Sequence, residues 1–164
     1  MPLRIVVMGA SGCGKSTFGR ALAAALGLRY VEGDELHAPA NVEKMRSGHP
    51  LTDADRQGWL HAVGAELARG DGVLATCSAL KRSYRDMLRA AAPDLRLIYL
   101  HGAPELLEAR LSARRGHYMP ASLLASQLQA LQPPGVDESP IELDTAQPVA
   151  TLVAAAQAQL RIAG

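Results

Sequence analysis

Cysteine is scarce in this chain of 164 residues, which carries only Cys13 and Cys77. Two cysteines cannot build a disulfide framework, and their spacing matches no zinc motif. Neither sign of charge is in excess: 17 Lys and Arg stand against 16 Asp and Glu, a formal net charge of +1. That balance argues against a broad basic surface for nucleic acid and against an acidic disordered tail. No apolar run approaches the ~20 residues that a membrane-spanning helix needs. A secretory leader is not expected, because Pro2-Leu-Arg-Ile-Val-Val7 runs straight into a glycine-rich loop. Repeats, linkers and low-complexity tracts are also missing. What remains is 48% hydrophobic and 20% charged, ordinary for a globular protein and long enough to bury a real core. A soluble, cytoplasmic protein with one domain over residues 1–164 is the expectation.

One stretch dominates what is present: Gly9-Ala-Ser-Gly-Cys-Gly-Lys-Ser16, between the apolar run Leu3-Arg-Ile-Val-Val-Met8 and a helical pattern over residues 17–26. It matches G-x-x-x-x-G-K-[ST] in the strand-to-helix context that pattern requires. Glycines let the backbone aim successive N–H groups inward, and the following helix adds the partial positive charge of its N-terminus. Lys15 then reaches the β- and γ-phosphates of a nucleoside triphosphate, and the Ser16 hydroxyl ligates Mg²⁺. Gly9, Ala10, Ser11, Gly12, Cys13, Gly14, Lys15, Ser16 and Thr17 are the nucleotide-binding candidates.

Strands alternate with helices along the rest of the chain. Residues 28–33 read as a second strand ending at Asp34. Residues 37–50 are rich in charge and turn residues, with a short helix over 41–46. Thr52 is placed to cap a helix with Asp53 and Asp55 in its first turn, and Leu60, Val63 and Leu67 form its apolar stripe. Residues 72–77 give a third strand, 80–92 a basic helix stopped by Pro93, and 95–100 a fourth strand. A helix from Pro104 to about Arg114 breaks at Arg115-Gly116. Another runs from Pro120 to about Leu131 and ends at Gln132-Pro-Pro-Gly135. A weak fifth strand over 140–144 precedes a last helix opened by Pro148. This is an α/β pattern, a parallel sheet covered on both faces. Ligands sit beyond the C-terminal strand ends in such a sheet, which converges the glycine-rich loop, Asp34, Ser78 to Lys81 and His101.

Asp34 is the candidate to orient or deprotonate an attacking hydroxyl, a turn carboxylate being the plainer alternative. Glu32 or Asp34 stands beside Ser16 as support for Mg²⁺. Residues 35–60 read as a substrate-facing flap in which Arg56 and Lys44 are the anion or hydroxyl contacts; Trp59 reads as a core anchor. Lys81 and Arg85 share a face that starts at a strand end and is suited to an anionic substrate group, with Arg82 and Arg89 on the surface. Arg110, Arg114, Arg115 and His117 mark a lid over about 112–132 whose arginines stabilise a transferring phosphoryl group; spacing does not say which of them touches phosphate. No strand ends in the Asp of a Walker B element, and no [NT]-K-x-D motif selects guanine.

These residues resemble the bacterial-type (thermoresistant) gluconokinase family, small-molecule kinases of the P-loop class. The resemblance covers nearly the whole chain. It is carried by Met8-Gly-Ala-Ser-Gly-Cys-Gly-Lys-Ser16, Gly33-Asp-Glu-Leu-His37, Asn41-Val-Glu-Lys-Met-Arg-Ser-Gly-His-Pro-Leu51, Asp53-Ala-Asp-Arg56, Cys77-Ser-Ala-Leu-Lys-Arg-Ser-Tyr-Arg-Asp86 and Arg114-Arg-Gly-His117 with Ser126-Gln-Leu128. It implies a three-layer P-loop kinase fold with strand order 2-3-1-4-5 and a helical lid. It also implies transfer of the ATP γ-phosphoryl group to the 6-hydroxyl of D-gluconate, Mg²⁺, and a homodimer. The implied catalytic residues are Lys15, Asp34 and Arg114; Arg110 and Arg114 join the nucleotide site, and Asp34, His37, Arg56, Lys81 and Arg85 the acceptor site. Gln132 departs from the Glu usual in the family's Leu-Glu-Pro-Pro ending. A related kinase of another hydroxy acid such as shikimate, or a nucleotide-dependent regulatory module, remains the alternative.

Overall fold

The computed structural model describes residues 2–113 and 123–163. Five parallel strands form one sheet: β1 (Arg4–Met8), β2 (Arg29–Glu32), β3 (Val73–Thr76), β4 (Arg96–His101) and β5 (Ile141–Asp144). Their order is β2-β3-β1-β4-β5, as the resemblance implied. The central strand β1 is apolar throughout its buried part because both sheet faces are covered. Its side chains alternate between two cores. Ile5 and Val7 face Phe18, Leu22, Leu107 and Leu152, whereas Val6 and Met8 face Trp59, Val63, Leu67 and Leu88. The first core is built by α1 (Lys15–Leu26), α5 (Pro104–Ala113) and α7 (Val149–Ala163); the second by α3 (Asp53–Ala68) and α4 (Arg82–Ala91).

Two short helices complete the described chain, α2 (Pro39–Arg46) and α6 (Leu124–Ala130). In the segment read as a flap, local bonds join α2 to α3. Thr52 Oγ1 accepts the Asp55 N–H at 3.1 Å while Asp55 returns a bond to the Thr52 N–H at 2.8 Å, a capping box. The same carboxylate pairs with Lys44 at 2.7 Å, tying α2 to α3. Lys44 is therefore a strut of the flap. The helix expected from Pro120 begins, within the described residues, at Leu124; Arg114, Arg115, His117 and Pro120 lie outside those residues.

The largest correction concerns Arg85. Its side chain is 2% exposed and lines none of the three cavities found around the glycine-rich loop among the described residues. All its N–H groups are engaged: Glu138 takes two bonds at 2.7 and 3.0 Å, and the carbonyls of Ala79, Leu80 and Gln132 accept at 2.8, 3.2 and 2.8 Å. A guanidinium saturated in this way has nothing left for a substrate anion. Arg82 and Arg89 lean on the same carboxylate, so the basic stripe of α4 serves Glu138, a residue far along the sequence. Arg85 also braces Ala79, which holds a left-handed φ of 44°, a conformation that costs a non-glycine residue on the order of 1–3 kcal/mol. Gln132 closes the arrangement, its Oε1 accepting the Arg82 N–H at 2.8 Å at the start of α4. The neutral Gln132 amide thus supplies an acceptor for the first N–H of α4.

Burial alone would push the Glu138 carboxyl up, but the bonds from Arg85 and Arg89 outweigh it and hold the group at about 2. A depressed value means that this stabilisation is fully present above about 4.5, the ordinary value, and is lost as pH falls toward 2. Glu138→Leu leaves the buried Arg85 charge unpaired and should lower the unfolding free energy by about 3–5 kcal/mol. Urea denaturation at pH 7 measures it. A loss below about 1 kcal/mol, the level of an exposed pair, would contradict the role assigned to the clamp.

Candidate active site

The site begins where β1 ends. Helix α1 starts at Lys15 behind Gly14, whose φ of 85° and ψ of 25° are left-handed, and it has neither a side-chain cap nor an acid in its first turn. Its first N–H groups are thereby kept for an anion. Ala10 and Cys13 are 3% and 1% exposed with their side chains in the core, so these positions meet a phosphate only through their backbone. The Lys15 ammonium donates to the carbonyls of Gly9 at 2.8 Å and Ala10 at 3.3 Å. A cavity of about 420 Å³ opens over the loop, lined by Ser11, Gly12, Gly14, Lys15 and Ser16 on one side and Arg20, Glu32 and Asp34 on the other.

Pairing of β2 with β3 aligns Glu32 with Thr76 and brings a carboxylate to the loop that β3 itself lacks. Ser16 Oγ donates to Glu32 Oε2 at 2.7 Å, Tyr30 OH donates to the same oxygen at 2.6 Å, and Thr76 Oγ1 donates to Oε1 at 3.0 Å. Burial pushes Glu32 up, but these three bonds outweigh it and keep the carboxyl below its ordinary value. Burial, together with the Glu32 bond, pushes the Tyr30 phenol up to about 12. Among the described residues no group of three or more His, Cys, Asp or Glu forms an all-protein metal cage. A hydroxyl beside an ionised carboxylate nevertheless fits Mg²⁺, which takes oxygen donors, usually one or two from protein with phosphates and waters completing the shell. Ser16 and Glu32 are the residues that would hold it.

Close approach of β2 to β3 aims the next residues. A Cβ on Gly33 would lie 1.8 Å from the Thr76 carbonyl oxygen, so only glycine lets the chain turn there and deliver Asp34. Asp34 lines both the large cavity and a smaller pocket with His37, Arg56, Ser78 and Gln127; Ser11 and Lys15 are shared in the same way. In that second pocket the His37 ring stacks on Trp59 at 4.1 Å and 18°, while Trp59 Nε1 donates to the Gly33 carbonyl at 2.8 Å. Trp59 is a core anchor, as read from the sequence, and also the floor beneath His37. Burial first, and the Arg56 charge second, push His37 down to about 4. Among the described residues the buried His37 Nδ1 and Arg56 Nε have no hydrogen-bond partner. Buried polar atoms of this kind point to a ligand with hydroxyl or anionic groups.

A third cavity of about 330 Å³ lies on the far side of the loop, with Thr17, Arg110, Thr145, Gln147 and Leu152 in its wall. Arg110 donates to Thr145 Oγ1 and to the Thr145 carbonyl, both at 2.8 Å, and Thr145 in turn bonds the Cys13 carbonyl. Of the sequence candidates, Ser11, Gly12, Gly14, Lys15, Ser16, Thr17, Asp34, His37, Arg56 and Arg110 line these three adjoining cavities. Lys81 does not join them; it pairs with Asp53 at 3.0 Å and lies 5.7 Å from the Tyr84 ring. Arg20, Thr145 and Gln127 are wall residues that pattern reading missed. Only Gln127 left a trace, as a polar residue on the apolar stripe of Leu124, Leu128 and Leu131.

A phosphate loop on a 2-3-1-4-5 parallel sheet, sharing Lys15 and Asp34 with a second polar pocket, defines a P-loop kinase of small molecules. The "AAA domain" family model matches residues 5–134. A gluconokinase of Gluconobacter oxydans is 49% identical over 146 residues, covering 87% of this chain and 82% of that protein. The thermoresistant gluconokinase of Escherichia coli is 44% identical over 154 residues, 91% of this chain and 88% of its own. The crystal structure of a gluconokinase from Sinorhizobium meliloti superposes with a TM-score of 0.90 at 50% identity, over 98% of this chain and 92% of that one. A shikimate kinase from Bacteroides thetaiotaomicron shares the fold alone, with a TM-score of 0.68 at 16% identity over 97% of this chain and 98% of that one. This chain belongs to the gluconokinase family.

With His37 held down near 4, its imidazole stays neutral at neutral pH. An NMR titration of the His37 ring should show no inflection between pH 5 and 8. A midpoint near the ordinary 6.5 would mean that the pocket is wetter than the stack on Trp59 implies.

Proposed function

We propose that this protein transfers the γ-phosphoryl group of ATP to the 6-hydroxyl of D-gluconate, giving 6-phospho-D-gluconate and ADP. The observation that carries the reading is the shared wall: Ser11, Lys15 and Asp34 line the phosphate cavity and the pocket that holds His37 and Arg56. Donor and acceptor placed on either side meet at one lysine and one carboxylate. Membership of the gluconokinase family supports gluconate as the acceptor.

Each residue has a distinct task in this reading. The α1 N-terminus and the loop amides bind the triphosphate. Lys15 offsets the charge that spreads over the transferring group, a preorganised electrostatic contribution. Asp34 orients the attacking hydroxyl and takes its proton as the oxygen–phosphorus bond forms and ADP leaves. Arg56 supplies positive charge for the gluconate carboxylate, and neutral His37 reads a hydroxyl. The third cavity beside Arg110 and Gln147 takes the base. Mg²⁺ held near Ser16 and Glu32 would supply neutralisation of phosphate charge. Neither Lys81 nor Arg85 takes part.

Coupled ADP-release assays over a panel of sugar acids and shikimate, with product analysis by mass spectrometry and phosphorus NMR, test the assignment. Gluconate should be the best acceptor and the phosphate should sit on C6; a faster acceptor, or ATP turnover without phosphorylated product, would overturn it. Asp34→Asn keeps the side chain's shape but removes the base. It should lower kcat by about 10²–10⁴-fold, the span of lost acid–base catalysis, with ATP affinity within a few-fold. A selective loss of ATP binding would instead move Asp34 to the nucleotide side.

A further inference from the structure

Helix α6 reaches three separate parts of the protein. Leu123, at its start, packs with Met45 and Leu51 of the flap. Leu124 and Leu128 join the core beneath the phosphate loop, and Leu131 joins the core on the other sheet face. Among these apolar contacts sits Gln127, 8% exposed. Its Oε1 accepts the backbone N–H of Ser11 at 2.8 Å in a buried bond.

That bond acts on one peptide unit of the phosphate loop. The N–H of Ser11 and the carbonyl of Ala10 belong to the same planar group and point in opposite directions. Gln127 fixes the N–H end. The carbonyl end accepts from the Lys15 ammonium at 3.3 Å, beside the Gly9 carbonyl at 2.8 Å. Rotation of the peptide would therefore lose the Gln127 bond and withdraw one of the oxygens that hold the ammonium. Ser11, Lys15 and Gln127 all line the smaller pocket, so the linkage lies at the junction of donor and acceptor.

We propose that Gln127 is a positioning residue for Lys15, acting through the Ala10–Ser11 peptide plane. It does not itself meet the transferring group. The chain of contacts runs from flap-packed α6 to Gln127, from Gln127 to the Ser11 N–H, and from the Ala10 carbonyl to the lysine. It rests on the phosphoryl-transfer reading above for its effect on rate, while its structural half stands apart from any acceptor.

Two variants separate this role from a packing role. Gln127→Met keeps unbranched bulk and removes the strong acceptor; Gln127→Glu keeps an acceptor oxygen at the same reach. Amide hydrogen exchange at Ser11 in the protein alone should speed up at least about 10-fold in Gln127→Met, the range of a lost protecting bond. It should stay near wild type in Gln127→Glu. With ATP and gluconate, kcat in Gln127→Met should fall about 10- to 100-fold, the scale of a small misplacement of a catalytic group. Both KM values should stay within about three-fold, with rescue of most of kcat in Gln127→Glu. Unchanged Ser11 exchange in Gln127→Met would overturn the proposal, as would a uniform loss of kcat and melting temperature in both variants. Should Gln127→Met fail to fold, Gln127→Glu decides: wild-type Ser11 exchange supports the linkage, and fast exchange refutes it. Wild-type protein inactive on gluconate would count against the proposed acceptor only, since the exchange measurement does not depend on it.

Discussion

The backbone N–H groups at the start of α1, left without a cap behind the left-handed Gly14, are the interaction on which the rest of the site depends. Helix-start N–H groups have no partner within the helix and carry its partial positive charge, which readies them for an anion. The sheet carries that set at the end of its central strand, with β3 on one side and β4 on the other. Everything else in the site is placed relative to it. Glu32 reaches Ser16 from β2, Arg110 reaches Thr145 beneath the loop from α5, and Gln127 reaches Ser11 from α6. The loop is thus held by side chains from elements far apart in the chain.

Two carboxylates near the loop have been separated by environment. Glu32 is surrounded by hydroxyl donors from Ser16, Tyr30 and Thr76 and stays ionised. Asp34, two residues on, stands past the turn at Gly33 and faces both cavities. One is committed to the hydroxyl that would meet a metal, the other to the proposed acceptor. Beside the shared Lys15 and Asp34, the smaller pocket adds the Arg56 guanidinium and the neutral, hydrogen-bonding His37 ring on its Trp59 floor. That combination suits a polyhydroxylated acid better than a plain anion, because hydroxyls and a carboxylate need different partners.

The helix α4 stripe shows how tertiary contacts reassign charge. Lys81 and Arg85 have the spacing of an anion-binding face, and its starting point at a strand end is right for a ligand. The structure turns Arg85 inward to Glu138 and leaves Lys81 paired with Asp53. The partner that captures Arg85 lies 53 residues later, and no local pattern announces it. The result still touches the smaller pocket, because the Arg85 guanidinium holds Ala79 and Leu80, which follow Ser78 in its wall.

Much of this protein was legible from local pattern, for a physical reason: a phosphate loop needs its glycines, lysine and hydroxyl contiguous, and strand and helix periods are written in neighbouring residues. The loop, the Thr52 cap, the alternation of strands and helices and the placing of Asp34 just past β2 all followed from such short-range constraints. The strand order came from resemblance, and the register that sets Glu32 beside Thr76 came from the structure alone. Tertiary structure alone decided which charges face the cavities, because burial and pairing are settled by residues distant in the chain. Arg56 and Arg85 are both the fourth residue of a helix; one keeps an Nε without a partner among the described residues, and the other is consumed by Glu138. Sequence determined the phosphate loop and placed a carboxylate just past β2, and packing determined which side chains face the cavities.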